Sequence, residues 1–146
     1  MYEDDLTLLR QRHLKVTPQR LQILHYLHTH YTHPDADEIY TALKRTSPSL
    51  SRTTVYNALE TLKKENIIHA ITISAGETRY DARTDTHHHF LCTACKKISD
   101  IELICPNIKR VEGGGYCIEE VHGYFKGLCP LCAKKQERKD ESKDPT

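Results

Sequence analysis

Between Thr86 and Asp100 the chain reads THHHFLCTACKKISD, and those fifteen residues carry two chemically different sets of metal ligands. Cys92 and Cys95, in a CxxC, are soft thiolates. His87, His88, His89 and Asp100 are harder nitrogen and oxygen donors, and the two classes suit different metals. One set can be closed and permanent; the other can be open and responsive.

A CxxC turn places two sulfurs on one side of an ion. Cys129-Pro130-Leu131-Cys132 supplies a second such turn, with 33 residues between Cys95 and Cys129. Together Cys92, Cys95, Cys129 and Cys132 complete four sulfurs for a tetrahedral structural Zn(II). The competing reading is redox chemistry, but a redox CxxC sits near a βαβ pattern, which this sequence lacks, and has no need of a second pair.

The imidazoles form an HxH on a predicted strand that enters the CxxC turn. Alternate strand residues share a face, so His87 and His89 converge while His88 points the other way. Two nitrogens do not hold a metal tightly. Asp81, Asp85, Asp100 and His33 are the candidates to complete the site, against the plainer alternative of a solvated histidine run.

The elements that must position these groups follow from periodicity and punctuation. A short helix is expected near residues 6–13. Thr17 as cap and Pro18 in the first turn start a helix running to about Thr29, because proline lacks only an amide that would be unpaired there. His33 lies in the connection that follows, where a solvated loop histidine is the plain alternative. Asp35 and Glu38 form a predicted capping box opening the next helix. Ser51 caps a helix from Arg52 to Glu65 that buries Val55, Ala58, Leu59 and Leu62 at helical spacing. Its other face presents Arg52, Thr53, Tyr56, Asn57, Lys63 and Lys64, cations and hydrogen-bonding groups suited to phosphates and base edges. Arg20 is counted with Arg52, Thr53, Tyr56 and Asn57 as DNA-binding. Strands at 67–73 and 78–81 around a turn at 74–77 complete a winged-helix layout, in which the second helix of a helix-turn-helix pair enters the major groove. Arg79 or the wing tip is expected to touch the DNA backbone.

In the C-terminal half, strands are predicted at 97–104, 116–121 and 123–128, with a short helix at 106–111 and a flexible Gly113–Gly115 run. The exposed sheet edges suggest pairing across a two-fold axis. From Ala133 the sequence KKQERKDESKDPT reads as a charged, disordered tail. Cys105 and Cys117 are left over and read as small buried hydrophobes.

At 146 residues the chain suits one ordinary domain or two small ones. Met1 leads into acidic YEDDL, so no signal peptide is expected, and no apolar run nears the roughly 20 residues that span a bilayer. A soluble, cytoplasmic, reducing setting follows, with thiols as free groups or ligands rather than disulfides. Residues 1–80 carry ten Lys/Arg against nine Asp/Glu, so DNA binding cannot rest on net charge and must rest on where the cations sit.

TPQR at 17–20, HPDADEIY at 33–40, SRTTVYNAL at 51–59, RYD at 79–81, HHHFLCTACKKISD and the closing CPLC resemble the ferric uptake regulator (Fur) family of bacterial metal-dependent repressors. The resemblance spans about residues 8–134 and is strongest to the peroxide-sensing branch. It implies an α+β fold: an N-terminal winged helix-turn-helix DNA-binding domain (residues 1–80), a small C-terminal α/β metal-binding dimerisation domain (81–134) with the four-cysteine zinc site, and a charged tail (135–146). It implies a regulatory Fe(II) or Mn(II) held by His33, Asp81, His87, His89 and Asp100, with Asp100 marking the branch because iron-sensing members typically carry glutamate there. It further implies a homodimer on a double-stranded DNA operator, with metal as corepressor and oxidation of His33 or His87 releasing both metal and DNA.

An iron, zinc or manganese uptake regulator of the same architecture is the nearest alternative. A hydrolytic metal centre lacks an HExxH-type arrangement; a zinc-stapled protein-interaction module without DNA binding is a third reading, which operator affinity unchanged by Tyr56→Ala together with Arg52→Ala would support. The segment between Asp100 and Cys129 is shorter than is usual for the family. Glu102 and His122 are left unassigned to any additional site.

Overall fold

Thr17 and Ser51 begin two helices in the same way: the Thr17 hydroxyl accepts from the Arg20 amide at 3.2 Å, and the Ser51 hydroxyl accepts from the Thr54 amide at 3.0 Å. Each pairs an amide that the first helical turn would otherwise leave without a partner. These helices belong to a computed structural model that describes residues 2–74, 76–103, 106–118, 121 and 123–141. The chain divides into two units, Met1–Thr84 and Asp85–Thr146.

The first unit runs α1 (Glu3–Gln11), α2 (Pro18–Thr29), α3 (Ala36–Lys44), α4 (Arg52–Lys64), β1 (His69–Ser74) and β2 (Glu77–Asp81). Asp35 and Glu38 form the expected capping box on α3. The apolar faces of the helices meet in one core that includes Leu9, Ile23, Leu24, Ile39, Val55, Leu59 and Leu62. The periodicity of α4 is realised: Val55, Ala58, Leu59 and Leu62 are its buried residues. The buried Asp5 carboxylate fastens α1 to α2, accepting from His25 Nδ1 at 2.8 Å and His28 Nδ1 at 2.5 Å. β1 and β2 pair antiparallel, placing Ile71 opposite Arg79 and His69 opposite Asp81. Gly76, at φ +84°, makes the turn between them in a conformation that glycine adopts without strain.

The second unit is built on β3 (His88–Cys92), flanked by β4 (Ile98–Ile101) and β5 (Tyr124–Gly127), with α5 (Ile108–Gly113) and α6 (Pro130–Glu141). β3 pairs antiparallel with β4 and parallel with β5. His88 is buried on the face away from His87 and His89, under Gly123, where a Cβ would stand 2.4 Å from the His88 ring nitrogen; only glycine fits.

Four expectations are corrected. The segment after Ala133 is not a disordered tail through its described length but the body of α6, because Pro130 suits a first helical turn and Ala, Lys, Gln, Glu and Arg are strong helix formers; residues 142–146 lie outside the described residues. The boundary expected at residues 80 and 81 falls inside β2, so Asp81 stays with the first unit. Residues 116–118 form no strand, and Cys117 is exposed rather than buried. Cys105 and His122 lie outside the described residues. No helix among the described residues is long and apolar enough to cross a membrane.

Candidate metal centre

The parallel pairing of β3 with β5 assembles the thiolate set. Cys92 sits opposite Gly127, and the Thr93 amide donates to the Gly127 carbonyl at 2.7 Å, so the chain leaving β5 delivers Cys129 to the turn that follows Cys92. α6 begins at Pro130 and places Cys132 in its first turn. The four sulfurs lie within 4.8 Å of one another, with Cys95 and Cys129 4.0 Å apart. Tetrahedral zinc at about 2.3 Å from each sulfur requires sulfurs about 3.8 Å apart, so the set fits. The Cys95 and Cys129 amides donate to the Cys92 sulfur at 3.5 and 3.4 Å and hold that thiol down at about 6. Hydrogen bonding with Cys129, reinforced by burial, pushes Cys132 up to about 12. Four sulfurs this close cannot all ionise until a cation stands among them.

On the other side of the turn, strand register gathers the harder donors. His89 faces Asp100 across the β3–β4 ladder, and His87, two residues earlier, falls on the same face. His87 Nε2 lies 3.1 Å from His89 Nε2, and Asp100 Oδ1 lies 3.6 and 3.8 Å from those nitrogens. Two donors at right angles about 2.1 Å from an ion stand about 3.0 Å apart, so this geometry also fits a metal. The Asp85 carbonyl lies 2.8 Å from His87 Nδ1. A carbonyl only accepts, so Nδ1 carries a proton, which leaves Nε2 as the nitrogen whose lone pair a neutral ring would offer a metal. All three imidazoles are buried, which removes the solvated-run reading.

The first unit holds its own pair. His33 and Asp81 are buried, with His33 Nε2 3.8 Å from Asp81 Oδ2, while the other Asp81 oxygen accepts from the Arg83 amide at 2.8 Å. His33 has φ +51°, a left-handed conformation that costs a non-glycine residue about 1 kcal/mol or more. The Tyr80 amide, one residue before Asp81, donates to the Pro34 carbonyl at 3.0 Å, so β2 brings carboxylate and imidazole together.

A family profile described as "Ferric uptake regulator family" matches residues 11–113. The chain belongs to that family. It is 39% identical over 110 residues, covering 75% of this chain and 73% of the relative, to the peroxide-responsive repressor PerR of Staphylococcus aureus strain Mu50. Among solved structures it is similar to the Campylobacter jejuni peroxide stress regulator, with a TM-score of 0.68, 30% identity and coverage of 87% of this chain and 98% of that one. It is also similar to the Helicobacter pylori ferric uptake regulator, described as having three functional metal binding sites, with a TM-score of 0.70, 25% identity and 90% coverage of both chains. Membership of the ferric uptake regulator family makes the chain a metal-responsive transcription regulator and not an enzyme.

On the α4 face of this family member, Arg52, Thr53, Tyr56 and Asn57 are exposed. Arg52 pairs with Asp37 and lies over the Tyr40 ring, 4.6 Å from its centroid. Arg20 is half-buried and donates to the Lys15 carbonyl. Arg79, expected to reach DNA, is instead held inside its unit by Glu38, Glu77 and the His33 carbonyl. The Asp85 carbonyl could not have been found by residue type, because any residue carries one; Arg79 had a signal only in its spacing two residues before Asp81.

Proposed function

We propose that this chain is a cytoplasmic, metal-dependent transcriptional repressor that senses peroxide. In this reading Cys92, Cys95, Cys129 and Cys132 hold a structural Zn(II), and His33, Asp81, His87, His89 and Asp100 hold a regulatory Fe(II) or Mn(II). The observation that carries it is the Asp100 carboxylate, 3.6 and 3.8 Å from the ligating nitrogens of His87 and His89. Mixed imidazole and carboxylate donors suit these metals. The likeness to the S. aureus peroxide-responsive repressor supports the effector.

His33 and Asp81 lie in the first unit and the other three donors in the second. A set that takes donors from both units couples them, so occupancy biases the reading helices toward a DNA-compatible arrangement. Bound Fe(II) supplies a reductant for peroxide beside these imidazoles, whereas Mn(II) supplies charge and coordination without it. His33 or His87, once carrying an added oxygen, is a poorer nitrogen donor, and loss of one donor from five frees the units. Arg52, Thr53, Tyr56 and Asn57 on α4, with Arg20, contact the operator. β5 is an edge strand with Tyr124 and Phe125 exposed, which supports a homodimer presenting two reading heads to two half-sites.

Mass spectrometry after peroxide, run on the Fe(II) and Mn(II) forms with operator release followed in parallel, tests the reading. An oxygen is expected on the His33 or His87 peptide in the Fe(II) form alone. Release without any histidine modification, or no release, removes the sensing claim and leaves an iron, zinc or manganese uptake regulator.

A further inference from the structure

Arg79 is only 18% exposed, and its guanidinium forks inward. Nη1 donates to the His33 carbonyl at 3.3 Å and to Glu38 Oε2 at 3.1 Å, and Nη2 donates to Glu77 Oε2 at 3.3 Å. The same Glu38 oxygen accepts the Asp35 amide at 2.9 Å in the cap of α3. His33 stands in the left-handed region, so its neighbours must hold it there. Arg79 and Asp81 are two residues apart on β2 and therefore share a face. One addresses the His33 carbonyl, and the other stands beside the His33 imidazole.

We infer that Arg79 is a positioning residue for the regulatory metal: its grip on the His33 carbonyl and on Glu38 holds the His33 imidazole in ligating posture beside Asp81. The inference rests on the ligand set proposed above. A carbonyl grip acts on the backbone, and so sets where the ring can point before any ion arrives. Groups that orient a ligand in this way typically change metal affinity by about 10–100-fold when removed.

The test is Mn(II) affinity of the zinc-loaded full-length protein in a double-mutant cycle of Arg79→Met and His33→Ala. Arg79→Met is expected to weaken Mn(II) binding by about 10–100-fold in the wild-type background, to add little once His33→Ala is present, and to leave zinc content unchanged. Wild-type affinity in folded Arg79→Met overturns the inference. So do equal losses in both backgrounds, which mark a general structural effect. Unchanged affinity in His33→Ala alone overturns the ligand set, and the inference with it. If Arg79→Met does not fold, Arg79→Lys, which keeps the charge but loses the fork, carries the same cycle with the same outcomes.

Discussion

In the first unit, buried side chains from four helices and the hairpin interlock, from Leu9 through Leu59 to Tyr80. In the second, the buried apolar residues among those described are only Leu91, Cys92 and Ile98, while Leu103, Val111, Tyr116, Phe125 and Leu131 are exposed. One unit is held by a core; the other has too little core and gathers four sulfurs around one point instead. The metal groups divide along the same line. The thiolate set lies wholly within the second unit, whereas of the harder donors His33 and Asp81 belong to the first unit and His87, His89 and Asp100 to the second.

The largest effect is expected from Cys129→Ser. Structural zinc in small domains is worth on the order of 10 kcal/mol, so losing one sulfur should strip the zinc and unfold the second unit while the first still melts cooperatively. Zinc content and amide-exchange protection measure this, and a zinc-free variant with β3 still protected would break the comparison. Leu59→Ala should do the reverse. It is expected to destabilise the first unit by about 2–5 kcal/mol in urea melts without changing zinc content.

Acidification sharpens the contrast. Because the Cys92 thiol is held at about 6, below the ordinary cysteine range, its thiolate persists as pH falls until that point and is lost below it. Zinc affinity measured against a competing chelator should fall as pH falls, because protons compete for every sulfur, and should fall more steeply below about 6, where even Cys92 takes a proton; a pH-independent affinity would argue against thiolate ligation. The smallest effect is expected from Ser51→Ala. Loss of the α4 cap should cost about 1 kcal/mol in the first unit and leave the zinc site untouched.

Legibility followed the range of the interactions. Thr17, Asp35 and Ser51 announced their helices because a cap acts on amides three residues away. The buried face of α4 and the shared face of His87 and His89 were readable because helix and strand periods are properties of the local backbone. Of the strand expected over 97–104, only Ile98–Ile101 forms among the described residues, since strand ends depend on a partner rather than on the residues themselves; residue 104 lies outside the described residues. α6 was misjudged because a charged segment with no apolar face resembles a disordered one. The CxxC spacing pointed to Cys132 as the fourth sulfur, but not to its place in the first turn of a helix.

By itself, the amino-acid order determined which residues could ligate, which helices would form and which of their faces would be buried, because each depends on neighbours a few residues away. Only the tertiary structure decided that β5 runs parallel to β3 and so carries Cys129 to Cys92. The same holds for the Asp85 carbonyl that selects the His87 tautomer, and for Arg79, which turns inward to the His33 carbonyl rather than out toward DNA. Those outcomes join residues distant in sequence or use main-chain atoms that every residue shares, and no local pattern encodes them.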